Sequence, residues 1–269
     1  MSIAFRLASC AMPVLLGLLL AGCGTVSQSW LDAVASTEPP DQDLMRVAND
    51  IEAQGQTAAA LPIYERAAAA SNDTKTQLRL ADAYVRAGKT DQAIQTYRTV
   101  LAAAPDNPDA GLGLGTALVK AGDPDGAVVV LAKVAPVVNT MSAYNRLGVA
   151  QILSGQFGQA QLSFEAASAI APGDLDVRTN LALAAALDGQ EEKAIHATRA
   201  VVGSPGAEAR HRRNLMIVFG LLGRADEGRA AAPKGLSPNE VKKLLARATA
   251  VRSIADAKER ARALGTIMG

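Results

Sequence analysis

The sequence contains too little cysteine and histidine to suggest a metal site or a nucleophilic catalyst. Its only cysteines are Cys10 and Cys23, so residues 24–269 offer no thiol for a disulfide, a structural zinc ion or a nucleophile. Its only histidines are His196 and His211, and neither has a Cys, Asp or His at a metal-ligand spacing within one helical turn. We therefore expect two solvated surface histidines, and we predict no metal, no cofactor and no catalytic residue.

A large excess of charge of one sign is absent as well. Arg6 is the only charged residue among the first 22, so the remaining chain carries 26 Lys and Arg against 26 Asp and Glu. This balance gives no long-range attraction to nucleic acid. Aromatic residues make up only 3% of a chain that is 49% hydrophobic, as expected where close helix crossings fill the core. We predict an all-α protein without a nucleic-acid partner or a small-molecule substrate.

What the sequence has instead is a regular spacing of glycines. They recur every 33 or 34 residues, at Gly55, Gly88, Gly122, Gly155, Gly189 and Gly223. Each lies between two apolar, helix-like segments, and a period of this length is typical of helical repeat arrays. A glycine just past a helix end enters the left-handed conformation without a Cβ penalty, so each one predicts a tight turn between two helices.

Small and bulky residues keep the same frame. Five positions after the glycines comes a small residue, at Ala60, Ala93, Ala127, Ala160, Ala194 and Gly228. Four positions later a bulky residue usually follows, at Tyr64, Tyr97, Leu131 and Phe164. Two helices cross closely only where small side chains meet, so these positions predict the contact within each helix pair. The spacings resemble those of tetratricopeptide repeats (TPRs), which implies a superhelical solenoid of about six helix-turn-helix repeats.

The frame divides residues 41–235 into six repeats, the sixth degenerate because Gly228 and Pro233 weaken its second helix. The repeats are expected at 41–73, 74–107, 108–140, 141–174, 175–208 and 209–234. Thr90 and Asp123 are expected to cap second helices. The glycines within residues 111–115 resemble a phosphate-binding loop, but no strand precedes them, so close helix packing at Gly115 is the better interpretation.

Residues 236–269 are predicted to form a C-terminal capping helix and a tail. The run Ser237–Glu240 has a capping serine, proline at the first helical position and glutamate at the third, so a helix should begin there. Apolar side chains such as Leu245 can cover the last repeat, which a solenoid needs for solubility. From about residue 256 the chain is charged and then contains glycine, and we expect residues 256–269 to fray.

The first 23 residues resemble a bacterial lipoprotein signal. Arg6 precedes an apolar run that ends in Leu20-Ala21-Gly22-Cys23, which resembles a lipobox. The resemblance implies that residues 1–22 are a cleaved signal peptide, that Cys23 is lipidated, and that residues 23–40 form a tether. In lipoprotein sorting an aspartate after the cysteine favours retention in the inner membrane, so in a Gram-negative source Gly24 implies the periplasmic face of the outer membrane. The alternative is an ordinary secretory signal that ends near a cysteine.

The inner, concave face of such an array is the expected binding surface, and the first helices of the repeats line it. In the later repeats it combines apolar side chains with asparagines, which can satisfy both the N–H and the C=O of a bound backbone. This combination suits a peptide or an amphipathic helix. The alternative is that the leucines pack against neighbouring repeats or beneath the C-terminal helix. The predicted partner-binding groove comprises Asn145, Val149, Ile152, Asn180, Leu183, Leu187, Asn214, Ile217 and Leu221.

A lipobox, a short tether, about six TPRs and a C-terminal helix together resemble the TadD family of the tight-adherence (Flp) pilus and the pilotins of type IV pili. The resemblance implies a non-enzymatic adaptor that binds a secretin subunit, or another component of a pilus or secretion system, and assists its assembly in the outer membrane. The alternative is a scaffold lipoprotein for outer-membrane β-barrel assembly or for a cell-wall hydrolase.

Overall fold

The computed structural model describes residues 40–268. The predicted signal peptide, Cys23 and all of the tether before Pro40 lie outside the described residues. Over the described range the regular structure is entirely helical. The helices are α1 (Pro40–Ala53), α2 (Thr57–Ala70), α3 (Thr74–Arg86), α4 (Thr90–Ala103), α5 (Pro108–Lys120), α6 (Pro124–Val138), α7 (Met141–Leu153), α8 (Phe157–Ile170), α9 (Leu175–Leu187), α10 (Glu191–Val202), α11 (Ala209–Leu222), α12 (Ala225–Ala231), α13 (Pro238–Arg252) and α14 (Ala257–Met268).

Helices α1 to α12 form six consecutive pairs, and each of the first five pairs packs against the next one. This arrangement confirms the predicted all-α solenoid of helix-turn-helix repeats. The second helix of the sixth pair, α12, has only seven residues, whereas the earlier second helices have 12 to 15. Among residues 40–268, none of the helices has the length and apolar character needed to cross a bilayer.

The six predicted glycine turns are present. Gly55, Gly88, Gly122, Gly155, Gly189 and Gly223 all have φ between 72° and 80°, the left-handed conformation that other residues avoid. The residue after each glycine donates its N–H to the carbonyl five residues earlier, as from Lys89 N to Tyr84 O at 2.9 Å. This bond defines the Schellman motif, and it satisfies a carbonyl at the helix end. The glycine period therefore sets the turn within every repeat.

N-capping residues at the starts of the first helices recur with the same period as the glycines. Asp73, Asn107, Thr140 and Asp174 each accept a hydrogen bond from the backbone N–H three residues on. These side chains satisfy N–H groups that have no partner within the helix. Of the two caps predicted for second helices, Asp123 is confirmed, because its carboxylate accepts from Gly126 N at 2.9 Å. The prediction for Thr90 is wrong by one position: Lys89 is the N-cap and offers no side-chain bond.

Close crossings at small residues hold each pair together. The alanines five positions after the turn glycines are fully buried, with 0% exposure from Ala60 through Ala194. A Cβ atom on Gly115 would lie 2.4 Å from the Leu131 side chain, and one on Gly148 would lie 2.6 Å from the Phe164 ring. Real side chains cannot approach that closely. The interpretation of Gly115 as a packing glycine is therefore confirmed.

The C-terminal region contains two helices where the sequence predicted one. Helix α13 begins as expected, with Ser237 N donating to the Glu240 carboxylate at 2.8 Å and Glu240 N donating back to the Ser237 hydroxyl at 3.3 Å. The expectation that residues 256–269 fray is wrong for residues 257–268. Helix α14 covers Ala257–Met268 and buries Ala261, Leu264 and Ile267. Tertiary contact stabilises this 12-residue segment, which is too short to form a stable helix alone.

We predict that Gly115→Val lowers the free energy of unfolding by at least about 1–3 kcal/mol, because its side chain would collide with the fully buried Leu131. Thermal and urea melts followed by circular dichroism would measure the change. Gly173→Val is the control, since a Cβ at Gly173 meets no atom within 4 Å. Its effect should stay within about 0.5 kcal/mol. Identical melting curves for the two variants would contradict the packing role of Gly115.

Candidate functional site

The first helices of the repeats share one surface, which we call the inner face. It is formed by α3, α5, α7, α9 and α11, because each of these helices contacts the next one in the series as well as its own partner. The inner face has two parts of different character. The part on α3, α5 and α7 is an open polar cleft, whereas the part on α7, α9 and α11 is apolar and covered.

The polar cleft has a volume of about 720 Å³. Its lining contains both basic and acidic side chains, and its two leucines are half-buried. The cleft surface is therefore mostly charged, with small apolar patches at the leucines. Such a surface can bind a segment of protein that has charges of both signs. The cleft is lined by Asp73, Thr74, Lys75, Leu78, Arg79, Asp82, Asn107, Asp109, Leu112, Gly113 and Arg146.

The cleft wall is fixed by a tyrosine that reaches it from a second helix. A Cβ on Gly113 would lie 2.3 Å from the Tyr97 ring, so only glycine leaves room for the ring to pass α5. The Tyr97 hydroxyl then donates to the Asp82 carboxylate at 2.5 Å. Burial and this hydrogen bond raise the pKa of Tyr97 far above its ordinary value, so the hydroxyl remains a donor. Across the cleft, Arg146 donates to the Thr116 hydroxyl at 3.0 Å.

The nine predicted groove residues are on α7, α9 and α11, and five of them are buried rather than lining an open groove. Exposure is 5% for Ile152, 2% for Leu183, 1% for Leu187, 0% for Ile217 and 2% for Leu221. These residues share one apolar cluster with side chains of α13 and α14. The alternative, in which the leucines pack against neighbouring repeats or beneath the C-terminal helix, therefore accounts better for these five residues. The half-buried residues are Asn145, Val149, Asn180 and Asn214.

The asparagines of the predicted groove are not all available to a ligand. Asn180 Nδ2 donates to Asn145 Oδ1 at 3.0 Å, so the amides of two successive repeats bond each other. This contact ties α7 to α9 at the boundary between the polar cleft and the covered part.

Helix α14 covers the apolar part of the inner face and is held at both ends. Near its start, Lys258 Nζ lies 2.6 Å from the Asp125 carboxylate, and this hydrogen bond lowers the pKa of Asp125. Near its end, Arg213 donates to the carbonyl of Ile267 at 3.0 Å, and Arg247 donates to the carbonyl of Thr266 at 2.5 Å. The segment that the sequence predicted to be a frayed tail is therefore a helix, and it occupies the predicted groove of its own chain.

One of the two histidines is structural, contrary to the expectation of a solvated side chain. His211 is 3% exposed, and its Nδ1 accepts a hydrogen bond from Glu208 N at 2.9 Å. Its Nε2 therefore carries the proton and donates to Asp176 Oδ1 across 3.0 Å. The ring caps the start of α11 and links that helix to α9. His196 is exposed on α10. Within residues 40–268 there is no group of three or more His, Cys, Asp or Glu side chains able to hold a metal ion.

Comparison with known proteins agrees with the repeat architecture. Residues 52–102 and 85–148 match the family model described as tetratricopeptide repeat. These residues therefore resemble TPRs, and such repeats imply a protein–protein interaction adaptor. A search of curated proteins gave no significant match.

Solved structures of MamA resemble the chain. MamA residues 41 to the end from Desulfovibrio magneticus RS-1 align with a TM-score of 0.57 at 18% identity, covering 61% of this chain and 95% of that one. MamA from MSR-1 aligns with a TM-score of 0.53 at 27% identity, again covering 61% and 95%. MamA from AMB-1 aligns with a TM-score of 0.51 at 29% identity, covering 58% and 94%. These similarities support the solenoid fold.

We predict that Leu183→Glu destabilises the array by about 3–5 kcal/mol, because its carboxylate would be buried among apolar side chains. Thermal melts would measure the loss. Leu162→Glu is the control, since Leu162 is 59% exposed on α8 and its variant should change stability by no more than about 0.5 kcal/mol. A stable, fully helical Leu183→Glu protein would show that Leu183 is accessible and that its buried position is incorrect.

Proposed function

We propose that this protein is a lipid-anchored adaptor at the periplasmic face of the outer membrane. In this proposal it acts as a pilotin, or assembly factor, for a secretin of a Flp/Tad-type pilus or secretion system. The proposal has two parts, which are where the protein is attached and what the inner face binds.

The attachment rests on the N-terminal sequence. The lipobox-like run ends at Cys23, where an acylated sulfur would hold the chain at the membrane, and Gly24 lacks the aspartate associated with inner-membrane retention. Each buried methylene of an acyl chain contributes about 0.8 kcal/mol, so several chains together give a durable anchor.

The binding role rests on the polar cleft. It is open, it extends across three successive first helices, and its charged groups include Arg79 and Asp109, which no other side chain of the described residues holds in an ion pair. Charges that are placed but not paired within the protein are suited to selecting a partner of complementary charge. The cleft is the single observation that most favours an adaptor.

The test is recovery of partners from detergent-solubilised envelopes of the source bacterium. The wild-type protein should recover secretin subunits, and deleting its gene should deplete secretin multimers from the outer-membrane fraction. Arg79→Glu should weaken recovery by about tenfold, the effect of losing about 1.4 kcal/mol at the contact. Arg98→Glu is the matched control, because Arg98 is exposed on α4 outside the cleft and its variant should bind normally.

The anchor is tested separately with Cys23→Ser. This variant should lose labelling by a palmitate analogue, accumulate as unprocessed precursor, and fail to bring secretin to the outer membrane. Persistent labelling would contradict lipidation at Cys23. Recovery of β-barrel assembly components or a cell-wall hydrolase in place of secretin subunits would contradict the pilotin role and favour the scaffold alternative.

A further inference from the structure

We infer that the covered part of the inner face is a binding site for an amphipathic helix of a protein partner, and that α14 is its resident, displaceable occupant. The inference rests on the proposed adaptor function and names the class of partner. We call the site the helix cradle. It consists of an apolar floor on α7, α9 and α11, with Asp125 at one end and Arg213 and Arg247 at the other.

The two ends of the helix cradle match the charge distribution of a helix. An α-helix carries partial positive charge at its N-terminus and partial negative charge at its C-terminus. Asp125 lies near the start of α14, where it pairs with Lys258 at 2.6 Å. Arg213 and Arg247 bond carbonyls of the last turn, which have no partner within the helix. The cradle therefore recognises the direction of a helix as well as its apolar face.

The floor of the helix cradle fits a helix of about three turns. Ala261, Leu264 and Ile267 point into it at intervals of three residues, with 1%, 2% and 2% exposure. Ala261 is small enough for close approach, while Leu264 and Ile267 belong to the same apolar cluster as the leucines of α9 and α11. Interaction through side chains at such spacing is the mode by which an amphipathic helix binds in a groove.

Several features make α14 separable from the array. It is the last helix of the described chain, it follows α13 after residues 253–256, and it belongs to none of the six helix pairs. Its pairing with Asp125 is superficial, because both side chains are 55% exposed. Arg260 stacks over the Phe157 ring at 5.3 Å, but its buried Nε has no hydrogen-bond partner. A buried donor without a partner costs free energy, so an occupant lacking this arginine would fit better.

The expected partner is therefore a helix with a small residue, a leucine and an isoleucine at successive intervals of three, and a cation three residues before the small one. In α14 this pattern is Lys258, Ala261, Leu264 and Ile267. Such a helix competes with α14 for the cradle, and its apparent affinity is reduced by the fraction of molecules in which the cradle is vacant. Partner binding at the cradle is thereby coupled to release of α14.

The test uses the mature chain with Cys23→Ser and a fluorescent synthetic peptide of residues 255–269 as the probe. Leu264→Asp in the chain should release α14, because it places a charge on the apolar floor. This variant should keep the circular dichroism spectrum of the array and bind the peptide at least about tenfold more tightly than the wild-type chain. Gly265→Asp is the matched control, because Gly265 is exposed and a Cβ there meets nothing within 4 Å. It should bind the peptide as the wild-type chain does.

Specificity is checked with a peptide carrying the same Leu264→Asp change, which should not bind either chain. The inference is overturned if the folded Leu264→Asp chain fails to bind the wild-type peptide. It is also overturned if that chain unfolds, since α14 would then be an integral part of the core. If secretin recovery still depends on Arg79 in either case, the adaptor function stands and only the helix cradle is rejected.

Discussion

The close crossing of two helices at small residues is the interaction on which the rest of this structure depends. A single helix pair cannot bury its apolar sides alone, so the pairs must stack. Regular stacking requires that the two helices of each pair lie close together and that every pair has the same geometry. Fully buried alanines and packing glycines such as Gly148 allow the two helices of a pair to approach closely. The left-handed glycine turns give every pair the same connection.

The same constraint determines the two parts of the inner face. Where the first helices carry charged and polar side chains, as on α3 and α5, the face remains open to solvent. Where they carry leucine and isoleucine, as on α9 and α11, an uncovered face would expose a large apolar patch. The chain covers that patch with α13 and α14. The same two helices therefore cap the array and fill its apolar groove.

Much of the fold could be predicted from local sequence signals. The turn glycines, the small residues and the Ser237–Glu240 cap each act within one helix or one pair, so their spacing alone identified them. Helix α14 could not be predicted in this way, because its stability comes from a floor built by α7, α9 and α11, far away in the sequence. His211 was missed for a similar reason. Its partner Asp176 lies one repeat earlier, although the Glu208-x-x-His211 spacing was a visible capping signal.

The central claim is that the chain's own C-terminal helix occupies the apolar part of the inner face. Amide hydrogen exchange of the wild-type protein, read out by mass spectrometry of peptides covering residues 257–268, tests it most directly. Because tertiary contact holds this short helix, its amides should exchange at least about tenfold more slowly than the same sequence in an unstructured peptide. Exchange at the unstructured rate across residues 261–268 would contradict the account, since the segment would then be the frayed tail that its local sequence suggests.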